Sequence, residues 1–191
     1  LPFMLGIKHK IANKLVYSKV KERVGGRLRF FVSGGAPLSK EIGEFFAAAD
    51  ITILEGYGLS ETSPVLTFNS PESIRYGSVG KPLYNVDIKI ADDGEILAKG
   101  PNIMTGYFNN EEATKEAFDS DGWFYTGDIG HFDDDGFLFI TDRKKNILVT
   151  SGGKNVAPAP IENVLVNSPF IEQSVVIGDK RNFISALIVP S

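Results

Sequence analysis

The sequence has no cysteine among its 191 residues, which excludes disulfide bonds, thiolate metal sites and a cysteine nucleophile. It has only two histidines, His9 and His131, and they form no metal-ligand pattern. No apolar run approaches the ~20 residues that a membrane-spanning helix needs, and Leu1–Leu5 is too short for a secretion signal. The lack of cysteine agrees with a reducing compartment, so we expect a cytoplasmic location.

The net charge is small, but charged residues are distributed unevenly along the chain. The formal net charge is −4, which argues against a nucleic-acid partner. Residues 1–31 carry only one acid, Glu22, against many basic residues. One interpretation is a solvated basic helix, and the other is a face that touches anionic lipid or a phosphate-bearing ligand. Peripheral contact with the inner face of a membrane therefore stays open, as does the oligomeric state.

The first third of the chain has the pattern of an α/β fold. Residues 28–32 form an apolar run that predicts a strand, followed by a Gly-rich loop at 33–37 and a helix with apolar residues at helical spacing. A second strand is predicted at 51–54. This order favours a parallel pair, whose ligands bind at the carboxyl ends of the strands, where the loops 33–37 and 56–58 are expected.

The rest of the chain has a different sequence pattern. Short alternating runs separated by Asp-Gly turns predict a small antiparallel sheet or distorted barrel over 77–140, with one helix at 111–118. A third unit of α+β type follows. The expected divisions are 1–76, 77–141 and 142–191. Because the chain does not begin with Met and stops directly after a predicted strand, we expect a piece of a longer protein.

The strongest local signal is the segment 55–62, Glu-Gly-Tyr-Gly-Leu-Ser-Glu-Thr. Glycines on either side of Tyr57 permit close approach of a ligand to the backbone, and the ring offers a plate for a base. Ser60 and Thr62 offer hydroxyl groups for a phosphate, and Glu61 offers a hard carboxylate for Mg²⁺. The alternative is a tight turn with a surface tyrosine.

Three further segments contain candidate binding residues. Residues 33–38 lack the Lys-Ser/Thr ending of a phosphate-binding loop and serve equally well as a structural turn. The carboxylate of Asp128 suits two sugar hydroxyls, and Arg143 suits the same ribose or a phosphate; a surface salt-bridge cluster is the alternative. The small residues of 150–158 can line a narrow passage or simply lead into a helix.

Taken together and in order, these segments resemble the adenylate-forming superfamily of acyl-CoA synthetases, luciferases and peptide-synthetase adenylation domains. The matching segments are 57–62, 94–96, 100–107, 125–128 and 142–145. Residues 142–158 and the basic segment that precedes 25–31 look most like bacterial long-chain fatty acid–CoA ligases. The resemblance implies the end of a large α/β domain, a barrel-like β subdomain and the start of a small, mobile α+β domain.

The resemblance also implies roles for individual residues. Tyr57 would stack on adenine, Glu61 would hold Mg²⁺, Thr62 would contact the α-phosphate, and Asp142 would be the pivot of the C-terminal domain. Asp128 and Arg143 would bind the ribose. The residues assigned to ATP, AMP or CoA are Gly34, Gly35, Ala36, Pro37, Glu55, Gly56, Tyr57, Gly58, Leu59, Ser60, Thr62, Asp128, Ile140, Arg143, Gly152 and Gly153, and the last two would face the pantetheine arm of CoA.

The implied reaction joins a fatty acid to AMP from ATP and then passes the acyl group to CoA. Two departures stand out, since the family's phosphate-gripping loop lies upstream of this chain and its catalytic lysine lies beyond Ser191. We therefore expect the chain alone to be inactive although its parent is an enzyme. The alternatives are a related enzyme acting on another carboxylic acid, and a non-catalytic nucleotide-binding or interaction module.

Overall fold

The computed structural model describes residues 3–191 and contains three kinds of unit: an N-terminal helical segment, two four-stranded sheets and a small α+β unit. Within these residues, no helix is both long and apolar enough to cross a membrane. The helices are α1 (Phe3–Ala12), α2 (Ser18–Arg23), α3 (Lys40–Ala48), α4 (Glu111–Glu116) and α5 (Pro158–Val166), with a π-helical turn at Asn13–Tyr17 and 3₁₀ turns at Ser60–Thr62 and Lys144–Asn146.

The first sheet has the strand order β1-β2-β3-β4. Its strands are β1 (Phe31–Ser33), β2 (Ile53–Gly58), β3 (Val65–Phe68) and β4 (Lys81–Pro82). β1 and β2 are parallel, as the sequence predicts, and β3 and β4 extend the sheet in the antiparallel sense. Between β1 and β2, α3 begins after Ser39, whose side chain accepts a hydrogen bond from the backbone of Ile42 and so satisfies a free helix donor.

The second sheet confirms the predicted antiparallel unit. Its order is β5-β6-β7-β8, and its strands are β5 (Asp87–Ile90), β6 (Glu95–Lys99), β7 (Phe124–Phe132) and β8 (Leu138–Arg143). The β7–β8 turn is the expected Asp-rich one: Asp133 accepts hydrogen bonds from the backbones of Asp135 and Phe137. The α+β unit adds β9 (Leu148–Val149), β10 (Asn155–Val156), β11 (Ile171–Ile177) and β12 (Ser185–Pro190), with α5 between β10 and β11.

One core links the two four-stranded sheets. Tyr57 and Leu66 from the first sheet pack with Ile96, Ala98 and Leu138 from the second, and all five are buried. Backbone hydrogen bonds strengthen this junction, because Val79 donates to Leu138 and Leu138 donates to Gly80. The packing of Tyr57 and Leu66 crosses the division expected at residue 76, and the three domain boundaries remain a prediction.

The prediction of a Gly-rich loop at 56–58 was wrong, because these residues are the last three of β2. The two glycines have a structural reason. An added Cβ on Gly56 would lie 2.9 Å from the Phe68 ring, and one on Gly58 would lie 1.6 Å from the Pro64 carbonyl oxygen. Their missing side chains therefore make room for the neighbouring strand β3 and the turn before it.

We expect Gly58→Ala to lower the free energy of unfolding by at least about 3 kcal/mol, since the methyl group would overlap backbone that has no room to move. Gly152→Ala is the matched control, because a Cβ there meets nothing within 4 Å. Urea unfolding of both variants and the parent chain provides the measurement. Equal midpoints for Gly58→Ala and the parent would show that the turn at 64–65 adapts.

Candidate functional site

The register of the second sheet places two of the candidate residues side by side. Asp128 on β7 lies directly opposite Arg143 on β8. The Arg143 Nε atom is 2.8 Å from Asp128 Oδ1, and the aspartate side chain is only 5% exposed. The predicted pair is therefore a cross-strand ion pair at the end of β8, with a buried carboxylate.

Tyr57 reaches the same carboxylate from the other sheet. Its hydroxyl group donates to Asp128 Oδ2 over 2.6 Å. Burial, followed by the charge of Asp128, raises the pKa of Tyr57 well above its usual value, so the phenol stays protonated and remains a donor. The ring belongs to the core and is 9% exposed. Stacking of this ring on adenine remains a prediction.

The backbone around Asp128 is fixed by two further groups. The Asp128 N–H donates to the Thr126 hydroxyl, which itself donates to the Ile96 carbonyl. The Gly127 N–H donates to Glu95, and Gly127 has a φ of 73° that favours glycine. Burial raises the pKa of Asp128, while Tyr57 and Arg143 oppose that rise. The carboxylate is held by donors on both oxygens, and each oxygen keeps a lone pair for a ligand hydroxyl.

Glu95 and Lys144 lie in two of the matching segments, 94–96 and 142–145, but the sequence analysis assigned them no role. Glu95 is buried and accepts from Gly127 with one oxygen, while its other oxygen lies 2.7 Å from Lys144 Nζ. The same ammonium is 2.7 Å from Asp93, and the hydrogen bonds to these two acids raise the pKa of Lys144. Neither segment indicates by itself that the two side chains form an ion pair.

Glu61 and Thr62 lie on the 3₁₀ turn that follows β2. Glu61 is half-buried and accepts a hydrogen bond from the Tyr107 hydroxyl at Oε1, over 3.1 Å. Thr62 is fully buried, and its hydroxyl is engaged with the backbone of Leu59 and Pro64. In this state the Thr62 hydroxyl shapes the turn, and its contact with a phosphate remains a prediction.

The Gly-rich loop 33–37 is exposed and joined to β2. The backbone N–H of Leu38 donates to Glu55, and an added Cβ on Gly34 would lie 3.4 Å from the Gly56 carbonyl oxygen. Glu55 is buried, and loss of solvent raises its pKa. Gly34, Gly35, Ala36 and Pro37 therefore lie beside the strand that carries Tyr57, as the sequence predicts from the parallel pair.

Asp142 is buried where β8 ends and the C-terminal unit starts. Its Oδ1 accepts from the Arg143 N–H (2.7 Å) and from Asn146 (3.2 Å), and its Oδ2 accepts from the Ala159 N–H (2.8 Å). Ala159 lies in the first turn of α5 between Pro158 and Pro160, which have no N–H. Asp142 thus satisfies a helix donor from outside the helix, and its role as a pivot remains a prediction.

The remaining residues assigned to ATP, AMP or CoA form no direct hydrogen bond to Asp128 or Arg143 in the part of the chain that the structure describes, apart from the sheet pairing itself. Gly152 and Gly153 form the exposed turn between β9 and β10, where Gly153 donates to Thr150. Ile140 is half-buried against the core and pairs with Gly130. Leu59 and Ser60 occupy the turn that contains Glu61.

The arrangement suits a nucleotide and a metal ion. The buried, doubly held carboxylate of Asp128 offers acceptors for sugar hydroxyls, with Arg143 beside it. Among residues 3–191, no group of three or more His, Cys, Asp or Glu side chains is placed to hold a metal ion. A single carboxylate such as Glu61 is sufficient for Mg²⁺ when substrate phosphates and water supply the other ligands.

Comparisons with known proteins identify the family. The sequence model described as "AMP-binding enzyme" matches residues 6–108, more than half of the chain, and the one described as "AMP-binding enzyme C-terminal domain" matches residues 145–191. The chain belongs to the AMP-binding enzyme family. The predicted superfamily and the predicted fold class are thereby confirmed.

Individual relatives point the same way. The chain is 52% identical over 185 residues to the long-chain-fatty-acid–CoA ligase FadD15 of Mycobacterium bovis, covering 97% of this chain and 31% of the relative. It is 42% identical to fatty acyl-CoA synthetase A of Dictyostelium discoideum, covering 97% of this chain and 30% of the relative. The chain thus spans about a third of the length of these relatives.

Solved structures share the fold. The o-succinylbenzoate CoA synthetase MenE of Bacillus subtilis, in complex with its acyl-adenylate intermediate, superposes with a TM-score of 0.80 at 32% identity, covering 92% of this chain and 40% of that one. A complex of the same enzyme with ATP and a magnesium ion gives 0.76 at 36% identity, covering 85% and 36%.

We expect Tyr57→Phe to lower the free energy of unfolding by about 1.5–3 kcal/mol, because it leaves the buried Asp128 oxygen without its donor. Tyr84→Phe, on a side chain that is 93% exposed, is the control. Urea unfolding gives both values, and Asp128→Asn completes a double-mutant cycle. Additive losses from Tyr57→Phe and Asp128→Asn would contradict a direct bond between the two side chains.

Proposed function

We propose that the protein carrying this chain is a long-chain fatty acid–CoA ligase, which uses ATP to form an acyl-AMP and then transfers the acyl group to CoA. The observation that carries the proposal is the shared Asp128 carboxylate, held by Tyr57 and Arg143 from two different sheets. The identity of 52% to a ligase for long-chain fatty acids supports the substrate class.

The residues present have separate tasks in this reaction. Asp128 accepts the ribose hydroxyls, and Arg143 adds a positive charge beside the sugar or the phosphate. The loop 33–37 lies beside β2 and covers the base. Glu61 is the side chain that would hold Mg²⁺, which neutralises phosphate charge when bound. These groups orient the nucleotide so that its α-phosphorus faces the substrate carboxylate.

Bond changes then follow from the chemistry of the substrates. A carboxylate oxygen attacks the α-phosphorus of ATP, and the bond to pyrophosphate breaks. The acyl-AMP has a good leaving group, so the thiolate of CoA attacks the acyl carbon and AMP leaves with the electron pair. Gly152 and Gly153 have no side chains and lie on an exposed turn. We assign them to the pantetheine arm of CoA.

A related enzyme for another carboxylic acid is the second candidate. It is favoured by the structural similarity to MenE, an o-succinylbenzoate CoA synthetase, whose name gives an acid other than a fatty acid. The two candidates share the nucleotide site and differ only in the acid.

The test is pyrophosphate release and acyl-CoA formation by the full-length protein, with ATP, Mg²⁺, CoA and acids of increasing length up to C18. We expect C14–C18 acids to give the highest kcat/KM. We expect Asp128→Asn to lower kcat/KM by about 100-fold, since ribose loses a charged acceptor in a buried site. Highest turnover with a short or aromatic acid would favour the second candidate, and nucleotide binding without turnover of any acid would indicate a non-catalytic module.

We also propose that the protein is cytoplasmic and that the helical segment 3–23 touches anionic membranes. His9 and Lys21 fasten this segment to the end of α3 by contacts to Ala48 and Asp50. The segment exposes both apolar and basic side chains, namely Met4, Leu5, Ile7, Ile11, Leu15, Val16, Lys8, Lys10, Lys14 and Lys19. Exposed apolar side chains can enter a lipid surface, and the lysines are attracted to anionic headgroups.

We expect the full-length protein to sediment with vesicles that contain phosphatidylglycerol and to be released as salt rises, because each basic residue near the surface adds about 1 kcal/mol. Neutral phosphatidylcholine vesicles are the control, and Lys8→Glu with Lys14→Glu should abolish the binding. Failure to sediment at low salt would contradict membrane contact through this segment.

A further inference from the structure

The segment 100–107 is fastened along the turn that carries Glu61. Three groups of this segment contact the segment 61–65: the side chain of Asn102, the backbone of Met104 and the side chain of Tyr107. From these contacts, and on the basis of the proposed function, we infer that Asn102 and Tyr107 are positioning residues that aim the Glu61 carboxylate at Mg²⁺.

Asn102 contacts the turn through two backbone carbonyls. Its Nδ2 donates to Thr62 over 2.8 Å and to Val65 over 2.9 Å. Both partners are acceptors, which fixes the orientation of the amide, since the opposite one would place oxygen against oxygen. The Oδ1 atom is buried without a hydrogen-bond partner among the described residues. A buried acceptor left unpaired costs free energy. The two hydrogen bonds from Nδ2 to the carbonyls of Thr62 and Val65 offset that cost and hold the amide in this orientation.

The backbone of Glu61 itself is anchored by the next contact. The Met104 N–H donates to the Glu61 carbonyl over 2.8 Å. Together with Asn102, this bond fixes two consecutive carbonyls, those of Glu61 and Thr62. The position of the Glu61 Cα is therefore set by the segment 100–107 and not only by β2.

Tyr107 orients the carboxylate. Its hydroxyl group donates to Glu61 Oε1, and among residues 3–191 no hydrogen bond reaches Oε2, which stays available for a metal ion. The tyrosine is itself held, since its N–H donates to the Thr114 hydroxyl over 2.8 Å.

The packing around this segment leaves it little freedom to move away. An added Cβ on Gly106 would lie 2.6 Å from the Thr114 side chain, and one on Gly100 would lie 2.9 Å from the Asn85 carbonyl oxygen. The segment is thus close-packed at both ends, which is the property a support for a metal ligand needs.

The test uses the full-length protein and measures nucleotide affinity by calorimetry, with no acid present. For the parent and for Tyr107→Phe, ATP binding is titrated over a series of Mg²⁺ concentrations, and AMP binding is measured without Mg²⁺. We expect Tyr107→Phe to raise the Mg²⁺ concentration for half-maximal effect about tenfold and to leave AMP affinity unchanged. Tyr84→Phe, which removes an exposed hydroxyl, should change neither value.

Amide hydrogen exchange gives a second readout that needs no metal. Asn102→Ala should speed exchange at residues 60–65 by more than tenfold while β7 and β8 stay protected, because the two carbonyl anchors are lost. Should Asn102→Ala fail to fold, Tyr107→Phe still decides the inference.

The outcomes separate this inference from the proposed function. Unchanged Mg²⁺ dependence in Tyr107→Phe, or a parent protein whose ATP binding does not respond to Mg²⁺, overturns the inference even when acyl-CoA is formed. A tenfold shift in a protein that forms no acyl-CoA from any acid upholds the inference and rejects the proposed function.

Discussion

The candidate site depends on one buried negative charge. Asp128 loses solvent on its strand, and that loss is tolerated because Tyr57 and Arg143 each donate to one of its oxygens. Tyr57 comes from β2 of the first sheet and Arg143 from the end of β8, so the carboxylate joins elements that are distant in sequence. Removing either donor would leave a buried charge partly unpaired. Because Tyr57 belongs to the core and also holds Asp128, a substitution there affects both the packing and the site.

The glycines around the site illustrate the same dependence on packing. Gly56 and Gly58 make room for the Phe68 ring and for the Pro64 carbonyl, and so allow β3 to lie close to β2. Close approach of β3 in turn places the 3₁₀ turn with Glu61 directly after the strand that carries Tyr57. A nucleotide and a metal ion would then meet side chains whose separation is fixed by backbone contacts, which is how a site keeps its geometry before a ligand arrives.

Much of the fold and part of the candidate site could be predicted from the sequence, and the predictions that were wrong or missing have physical reasons. Apolar runs with turn residues between them predicted the parallel pair β1–β2 and an antiparallel unit over 77–140, and the motif order predicted the family. The loop expected at 56–58 was wrong because pairing with β3, a tertiary contact, extends β2. Lys144 contacts Glu95 across 49 positions of sequence, and Tyr107 contacts Glu61 across 46. No local pattern encodes such pairs, so the supporting residues emerge only from the fold.

The hydrogen bonds of Asp142 have a mechanical consequence. Its side chain contacts Arg143, Asn146 and Ala159, all of which follow it in the chain. A rotation of the backbone before Asp142 would carry these groups along as one rigid body. A rotation beyond Asn146 would instead break the hydrogen bond between Asp142 and Ala159. A swing of the first kind would also draw the cationic Arg143 and Lys144 away from Asp128 and Glu95. Separating opposite charges costs more in dilute buffer than in salt, so ionic strength would set how readily such a joint opens.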